Sequence, residues 1–179
     1  EETARAMRRT VDRELARSRT AARAVDAQAD PARVANGLIA VLRRTPEGGR
    51  LHWQQTIPEG LAVAMDEADL AEAMGALAEN AARHARGKVR MSARVQDDRV
   101  QLMVADDGAG IAQTDRDRLM RRHERADETG TGLGLAIASD IAEAAGGTLT
   151  LGDAAPGLAA SLSLPLARAP QARPAETPN

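Results

Sequence analysis

Along this chain the apolar residues keep two rhythms, one helical and one alternating, and together they assign most of its length. From Glu1 to about Val25, the residues Met7, Val11, Leu15 and Ala22 stand near helical spacing among Arg, Glu and Ala, which predicts an exposed or partner-packing helix. Asp30-Pro31 then supplies a cap with proline at the first helical position. Val34, Leu38, Ile39 and Leu42 follow as an apolar stripe that stops before Pro46 and Gly48-Gly49. Leu51 to Ile57 and Leu61 to Met65, on either side of Pro58-Glu59-Gly60, predict strand, turn and strand. Asp66 caps a long helix to about His84, with Leu70, Met74, Leu77 and Ala81 on its buried face and Asn80 beside it.

The second half changes rhythm. Val89 to Val95 alternates apolar with polar, Asp97-Asp98 makes a turn, and Val100 to Val104 resumes the alternation, giving an antiparallel hairpin that ends at Asp106. Ala112 to Thr129 is dense in Asp and Arg and reads as a polar excursion, a kind of long insertion that is usually functional. Leu133, Ile137 and Ile141 mark a helix from Leu133 to Ala145 that leaves at Gly146-Gly147, and a hairpin follows from Thr148 to Leu151 and Leu158 to Leu164. The tail from Ala167 is rich in Pro, Ala and charge, with no apolar period, and is expected to be disordered or a linker.

Composition narrows the chemistry. At 179 residues and 43% hydrophobic, the chain can bury one substantial core. It has no cysteine, so thiol catalysis and thiolate metal sites are excluded. A net charge of −2 and an aromatic content of 1% offer neither a broad basic surface nor base-stacking platforms, so no nucleic acid partner is expected; any basic site must be local. No apolar run approaches the roughly 20 residues that span a bilayer.

Three polar segments interrupt the apolar pattern. In the first, Asn80 sits at the edge of its helix stripe: it is either a satisfied core amide or an oxygen ligand for Mg²⁺, with Arg83 one turn on and able to face a phosphate. In the second, Asp106-Asp107-Gly108-Ala109-Gly110 ends a strand. It is either an ordinary turn or a carboxylate placed to accept from an exocyclic amine, with glycines that let the backbone approach a flat base. In the third, Gly130-Thr131-Gly132-Leu133-Gly134 opens a helix whose free N–H groups can hold phosphates. No strand precedes it and no lysine follows, which rules out the dinucleotide fingerprint and the P-loop.

In this order the three segments resemble the asparagine box and the two glycine boxes of the histidine kinase branch of the superfamily that also holds DNA gyrase, Hsp90 and MutL ATPases. The resemblance spans about Pro31 to Leu166 and is nearest to PhoQ-type kinases. It implies an α+β fold, a two-layer α/β sandwich of the Bergerat type in which a mixed, mainly antiparallel sheet is covered on one face by helices, with an additional N-terminal helix. It implies ATP and Mg²⁺ as cofactors, Asn80 as the metal ligand and Asp106 at the adenine amine. Arg83 and His84 fall at the family's basic and aromatic positions near the phosphates. Gly108, Gly110, Gly130, Thr131, Gly132, Leu133 and Gly134 would line the nucleotide, and Ala112 to Thr129 would be the lid. Within the lid, Met120 stands where the family usually has phenylalanine, and Arg122 and Arg125 are either γ-phosphate contacts or solvated charges.

The superfamily's ATPases carry a glutamate base one helical turn before the asparagine, and here that residue is Ala76. Alanine cannot accept a proton, and Glu79 points about 100° away around the helix. A kinase needs no such base, because its nucleophile is an imidazole on a separate hairpin. None of His52, His84 and His123 lies in a phosphoacceptor sequence. The expected organisation is residues 1–27 as the end of a dimerisation helix and linker, 28–166 as the catalytic domain and 167–179 as the tail. The expected partners are the phosphoacceptor hairpin of the same kinase and a response regulator, with a homodimeric, membrane-anchored parent and a cytoplasmic location for this domain. A degenerate nucleotide-binding regulatory module is the second expectation, suggested by Met120, and an anti-sigma-factor-type serine kinase the third.

Overall fold

A computed structural model describes residues 27–116 and 133–167. The predicted helix of residues 1–25, most of the lid with Met120, Arg122 and Arg125, the segment Gly130-Thr131-Gly132 and the tail lie outside the described residues.

Helix α1 (Pro31–Leu42) begins where its sequence says: the Asp30 carboxylate accepts from the N–H groups of Ala32 at 2.8 Å and Arg33 at 3.1 Å, and Pro31 takes the first helical position. A single turn that the sequence pattern did not suggest, α2 (Pro46–Gly49), is capped by Thr45 and precedes strand β1 (His52–Thr56). The Trp53 ring is buried beneath it and donates its Nε1–H to Gly48 O at 2.9 Å, so the one tryptophan is both core and strut.

Residues 61–65 correct the expectation of a second strand. Leu61, Val63 and Met65 are buried in alternation, as an extended chain requires, but only Val63 forms β-bridges, to Ala29 and to Leu166. Each neighbouring segment supplies a single partner position, so no ladder propagates. The segment instead fastens together the two ends of the described domain, with Ala29 and Val63 exchanging N–H···O bonds of 3.0 Å each.

Helix α3 (Glu67–His84) is capped by Asp66, with Glu67 and Asp69 in its first turn and Arg83 and His84 in its last, the arrangement that the helix dipole favours. Strands β2 (Lys88–Gln96) and β3 (Arg99–Asp106) form the predicted hairpin, turned at Asp97 with φ +57. Helix α4 (Leu133–Ala144) and the hairpin of β4 (Thr148–Asp153) and β5 (Leu158–Pro165) complete the fold.

The five-stranded sheet has the order β1-β2-β3-β5-β4, with β1 parallel to β2 and every other pair antiparallel. Parallel pairing needs a crossover, and α3 provides it. Val89 and Met91 of β2, Val100, Leu102 and Val104 of β3 and Leu158, Leu162 and Leu164 of β5 alternate inward against α1, α3 and α4, which gives one buried and one open sheet face. The architecture is therefore the mixed, mainly antiparallel, two-layer α+β sandwich expected from the sequence.

Candidate functional site

Asp106 is the last residue of β3 and shares the inward parity of Val104 and Leu102, so its carboxylate points to the helix side of the sheet. It is 5% exposed. Its Oδ1 accepts from Gly108 N–H at 2.8 Å and from Leu158 N–H at 3.4 Å. Its second oxygen, Oδ2, has no hydrogen bond among the described residues. A buried carboxylate fixed through one oxygen and open at the other is a directional acceptor for an incoming N–H.

Two glycines exist to permit this arrangement. A Cβ at Gly108 would lie 2.4 Å from His84 O, so the turn after Asp106 rests directly on the C-terminal end of α3. A Cβ at Gly157, where φ is +106, would lie 1.9 Å from Asp106 O. Gly110 in turn closes on Gly157, with its missing Cβ 3.0 Å from Gly157 O.

Asp107 turns the other way. Its Oδ1 accepts from the N–H groups of Arg86, Gly87 and Lys88 at 2.9, 3.0 and 3.1 Å, tying the α3–β2 loop to the end of β3. These bonds, the one from Gly87 foremost, hold its carboxyl below the ordinary 3.8 against the opposing pull of desolvation. A depressed folded-state pKa contributes stability that is present above the unfolded carboxylate's pKa and is lost as pH falls through the folded value. Asp107→Ala is expected to cost about 1–3 kcal/mol at neutral pH. In thermal melts the gap from the wild type should then narrow below pH 3.8; a gap that stays constant across the acid range would contradict this role.

Asn80 lies half-buried on α3, and no hydrogen bond among the described residues engages its amide. Arg83 and His84 are exposed on the helix's last turn. At the start of α4, a Cβ on Gly134 would lie 3.5 Å from Ala76 O and 3.8 Å from its Cβ. The first glycine segment therefore meets α3 at His84 and the second at Ala76, with Asn80 midway between them. The described parts of the three polar segments, distant in sequence, converge on two turns of one helix. Of the second glycine segment, only Leu133 and Gly134 fall within the description.

Ala76 is half-buried against this contact, and Glu79 is exposed. Among the described residues no three His, Cys, Asp or Glu side chains cluster as a metal site. A divalent cation held here would take the Asn80 amide oxygen, phosphate oxygens and water, a donor set that suits Mg²⁺.

One contributor to the site was not visible in the sequence, and one buried residue near it in the chain was not expected. Leu158 N–H, which fixes Asp106, comes from a strand more than fifty residues away; the only sequence signal was the turn chemistry of Ala155-Pro156-Gly157. Arg116, six residues past Gly110, is 9% exposed, with one guanidinium nitrogen donating to Gln113 Oε1 at 2.7 Å and its Nε unpartnered. A buried arginine is not signalled by local pattern.

A half-satisfied buried carboxylate, a half-buried helix asparagine and glycine-opened backbone thus meet beneath the helices of a two-layer α+β sandwich. The chain belongs to the histidine kinase-, DNA gyrase B- and HSP90-like ATPase family, whose model matches residues 65–168. Within that family its similarity runs to the ATP-binding catalytic domains of sensor histidine kinases. It is 41% identical over 132 residues to the sensor protein kinase CarS of Pseudomonas aeruginosa, covering 72% of this chain and 30% of CarS. It is also 41% identical over 106 residues to the two-component sensor PhoQ of the same organism, covering 58% of this chain and 24% of PhoQ. The mycobacterial sensor histidine kinase MprB superposes with a TM-score of 0.67 at 26% identity, over 78% of this chain and 96% of that structure. The chain thus spans 24–30% of the length of these two curated relatives.

Proposed function

We propose that this domain binds Mg-ATP between its sheet and its helices and donates the γ-phosphoryl group to a histidine on a separate dimerisation hairpin of the same kinase. The observation that carries the proposal is the half-satisfied Asp106 carboxylate, because an oxygen pinned by two backbone N–H groups leaves its neighbour aimed at an amine. Adenine presents an exocyclic amine there and guanine a carbonyl, so the same atom selects ATP over GTP.

Gly108 and Gly110 bring the backbone against the base, and the N–H groups of Gly130 to Gly134 at the head of α4 hold phosphate oxygens. Asn80 Oδ1 would hold the divalent ion, which when bound would supply charge neutralisation to the phosphates. By the family resemblance Arg83 and His84 lie near the phosphates, although the His84 backbone itself meets the Gly108 turn, and Arg122 and Arg125 approach the γ-phosphate from the lid. With alanine at position 76 the helix offers no base there to position an attacking water. The histidine imidazole supplied from the hairpin forms the new N–P bond as the bond to the ADP oxygen breaks.

The parent would be a homodimeric, membrane-anchored receptor that passes the phosphoryl group to a response regulator, with this domain on the cytoplasmic side. Among the described residues no helix is long and apolar enough to cross a membrane. Met120, in place of the usual phenylalanine, favours one alternative, a nucleotide-binding regulatory module without transfer activity. Calorimetric titration with ATP, with and without Mg²⁺, tests the metal assignment: Asn80→Ala should weaken Mg-dependent binding at least ~tenfold, about 1.4 kcal/mol, while sparing metal-free binding. Undiminished Mg-dependent binding in that variant would overturn the metal role.

A further inference from the structure

The open face of the sheet, opposite the helices and the nucleotide site, carries the second feature of this molecule. Its outward positions run across the strands in registered rows. Thr56, Ser92, Met103, Ser161 and Thr150 form one row, and Gln54, Arg90, Ala105, Ala159 and Gly152 the next. The cations fall on one strip of this face. Lys88, Arg90 and Arg94 share the outward parity of β2, with both arginines exposed, and Arg99 stands at the near end of β3.

No carboxylate occupies an outward position on any of the five strands. Among the described residues none of these cations has an ion-pair partner; the salt bridge present, Arg33 to Glu67, lies in the helical layer. Arg99 is held flat by bonds from its Nε to Ser163 Oγ at 2.8 Å and from a terminal nitrogen to Gly146 O and Ser163 O, each at 2.9 Å. Gln101 donates to the same Ser163 hydroxyl at 2.9 Å, so the floor beside the cations is a hydrogen-bonded polar surface.

Asp107 bounds this strip beside Lys88 and the exposed Asp97-Asp98 turn bounds its other end, but neither forms an ion pair with its cations. Arg90 and Arg94 between them repel one another, and that repulsion is relieved when an anionic surface covers them. From strand spacing and rise, the face measures roughly 20 Å by 20 Å, about 400 Å². That is half of what one side of a stable interface contributes, so the fitting contact is transient and salt-sensitive. Bilayer insertion has no apolar or aromatic anchor here, since Met103 is the sole large apolar side chain among the outward positions and is half-buried. Guanidinium forks interleaved with hydroxyls and amides match protein carboxylates.

We propose that this basic sheet face is a docking surface for an acidic protein partner, separate from the nucleotide site. The test uses the whole chain and a fluorescent poly-L-glutamate probe at low salt, with Arg90→Glu/Arg94→Glu compared against Arg43→Glu/Arg44→Glu. The control pair is exposed at the end of α1, away from this face, and lowers the net charge by the same amount. Reversal on the sheet face should weaken probe binding at least ~tenfold while the control shifts it less than ~twofold, with melting temperatures confirming that both variants fold. Equal effects from the two pairs, or none from the sheet pair, would overturn the proposal. So would retention of the chain on phosphatidylglycerol vesicles or duplex DNA in preference to poly-L-glutamate.

Discussion

Asp106→Asn is expected to lower ATP affinity at least ~100-fold, about 2.7 kcal/mol, while leaving the melting temperature within a few degrees of the wild type. The asparagine oxygen can still accept from Gly108 and Leu158 N–H, so the turn keeps its anchor. The amide nitrogen then stands where Oδ2 was and presents a donor to the adenine amine, itself a donor. Two facing donors lose a hydrogen bond and strand a buried polar group, which is the costly case. Nucleotide titration beside thermal melts distinguishes this from general damage. If affinity and stability fell together, Asp106 would be a structural residue and not the base-reading one.

Gly157→Ala should give the largest loss of stability of any single methyl addition at the site. The new Cβ would fall 1.9 Å from Asp106 O at a φ of +106, where L side chains are strained, so neither the backbone nor its neighbour can yield cheaply. A cost of about 3 kcal/mol or more is expected in urea unfolding. Any folded fraction should bind ATP poorly, because the displaced strand carries Leu158 N–H away from Asp106. Wild-type stability in this variant would show that the approach of β5 to Asp106 is looser than described.

These two residues also show what was legible in the sequence. Asp106 could be found from its neighbours, since a strand alternation ending in Asp-Asp-Gly-Ala-Gly is a local signal. Gly157 could not, because its necessity arises from a strand pairing that brings residues 105 and 159 side by side. The helices were legible because capping is local: Asp30, Pro31 and Asp66 each act within one turn. Residues 61–65 misled because alternating burial is common to a strand and to a lone extended segment. Which of the two forms depends on how many partner residues the rest of the chain brings alongside, and here there was one on each side.

The division of labour between Asp106 and Asp107 was likewise readable only in part. Both are carboxylates in a turn, yet one faces the helices with an open oxygen and the other is spent on three N–H groups of the α3–β2 loop. Alternation along β3 predicts that Asp106 shares the inward face of Val104, and so selects it as the ligand-facing acid. The anchoring of residues 86–88 by Asp107 needed the fold.

Phosphoryl donation to a histidine separates a kinase domain from a nucleotide-binding regulatory module, and it can be assayed. The assay incubates the chain with γ-labelled ATP, Mg²⁺ and the dimerisation hairpin of its parent kinase, and measures acid-labile label on the hairpin. Label is expected on a hairpin histidine and should disappear with Asp106→Asn; tight ATP binding with no label on the hairpin would show that the domain does not donate.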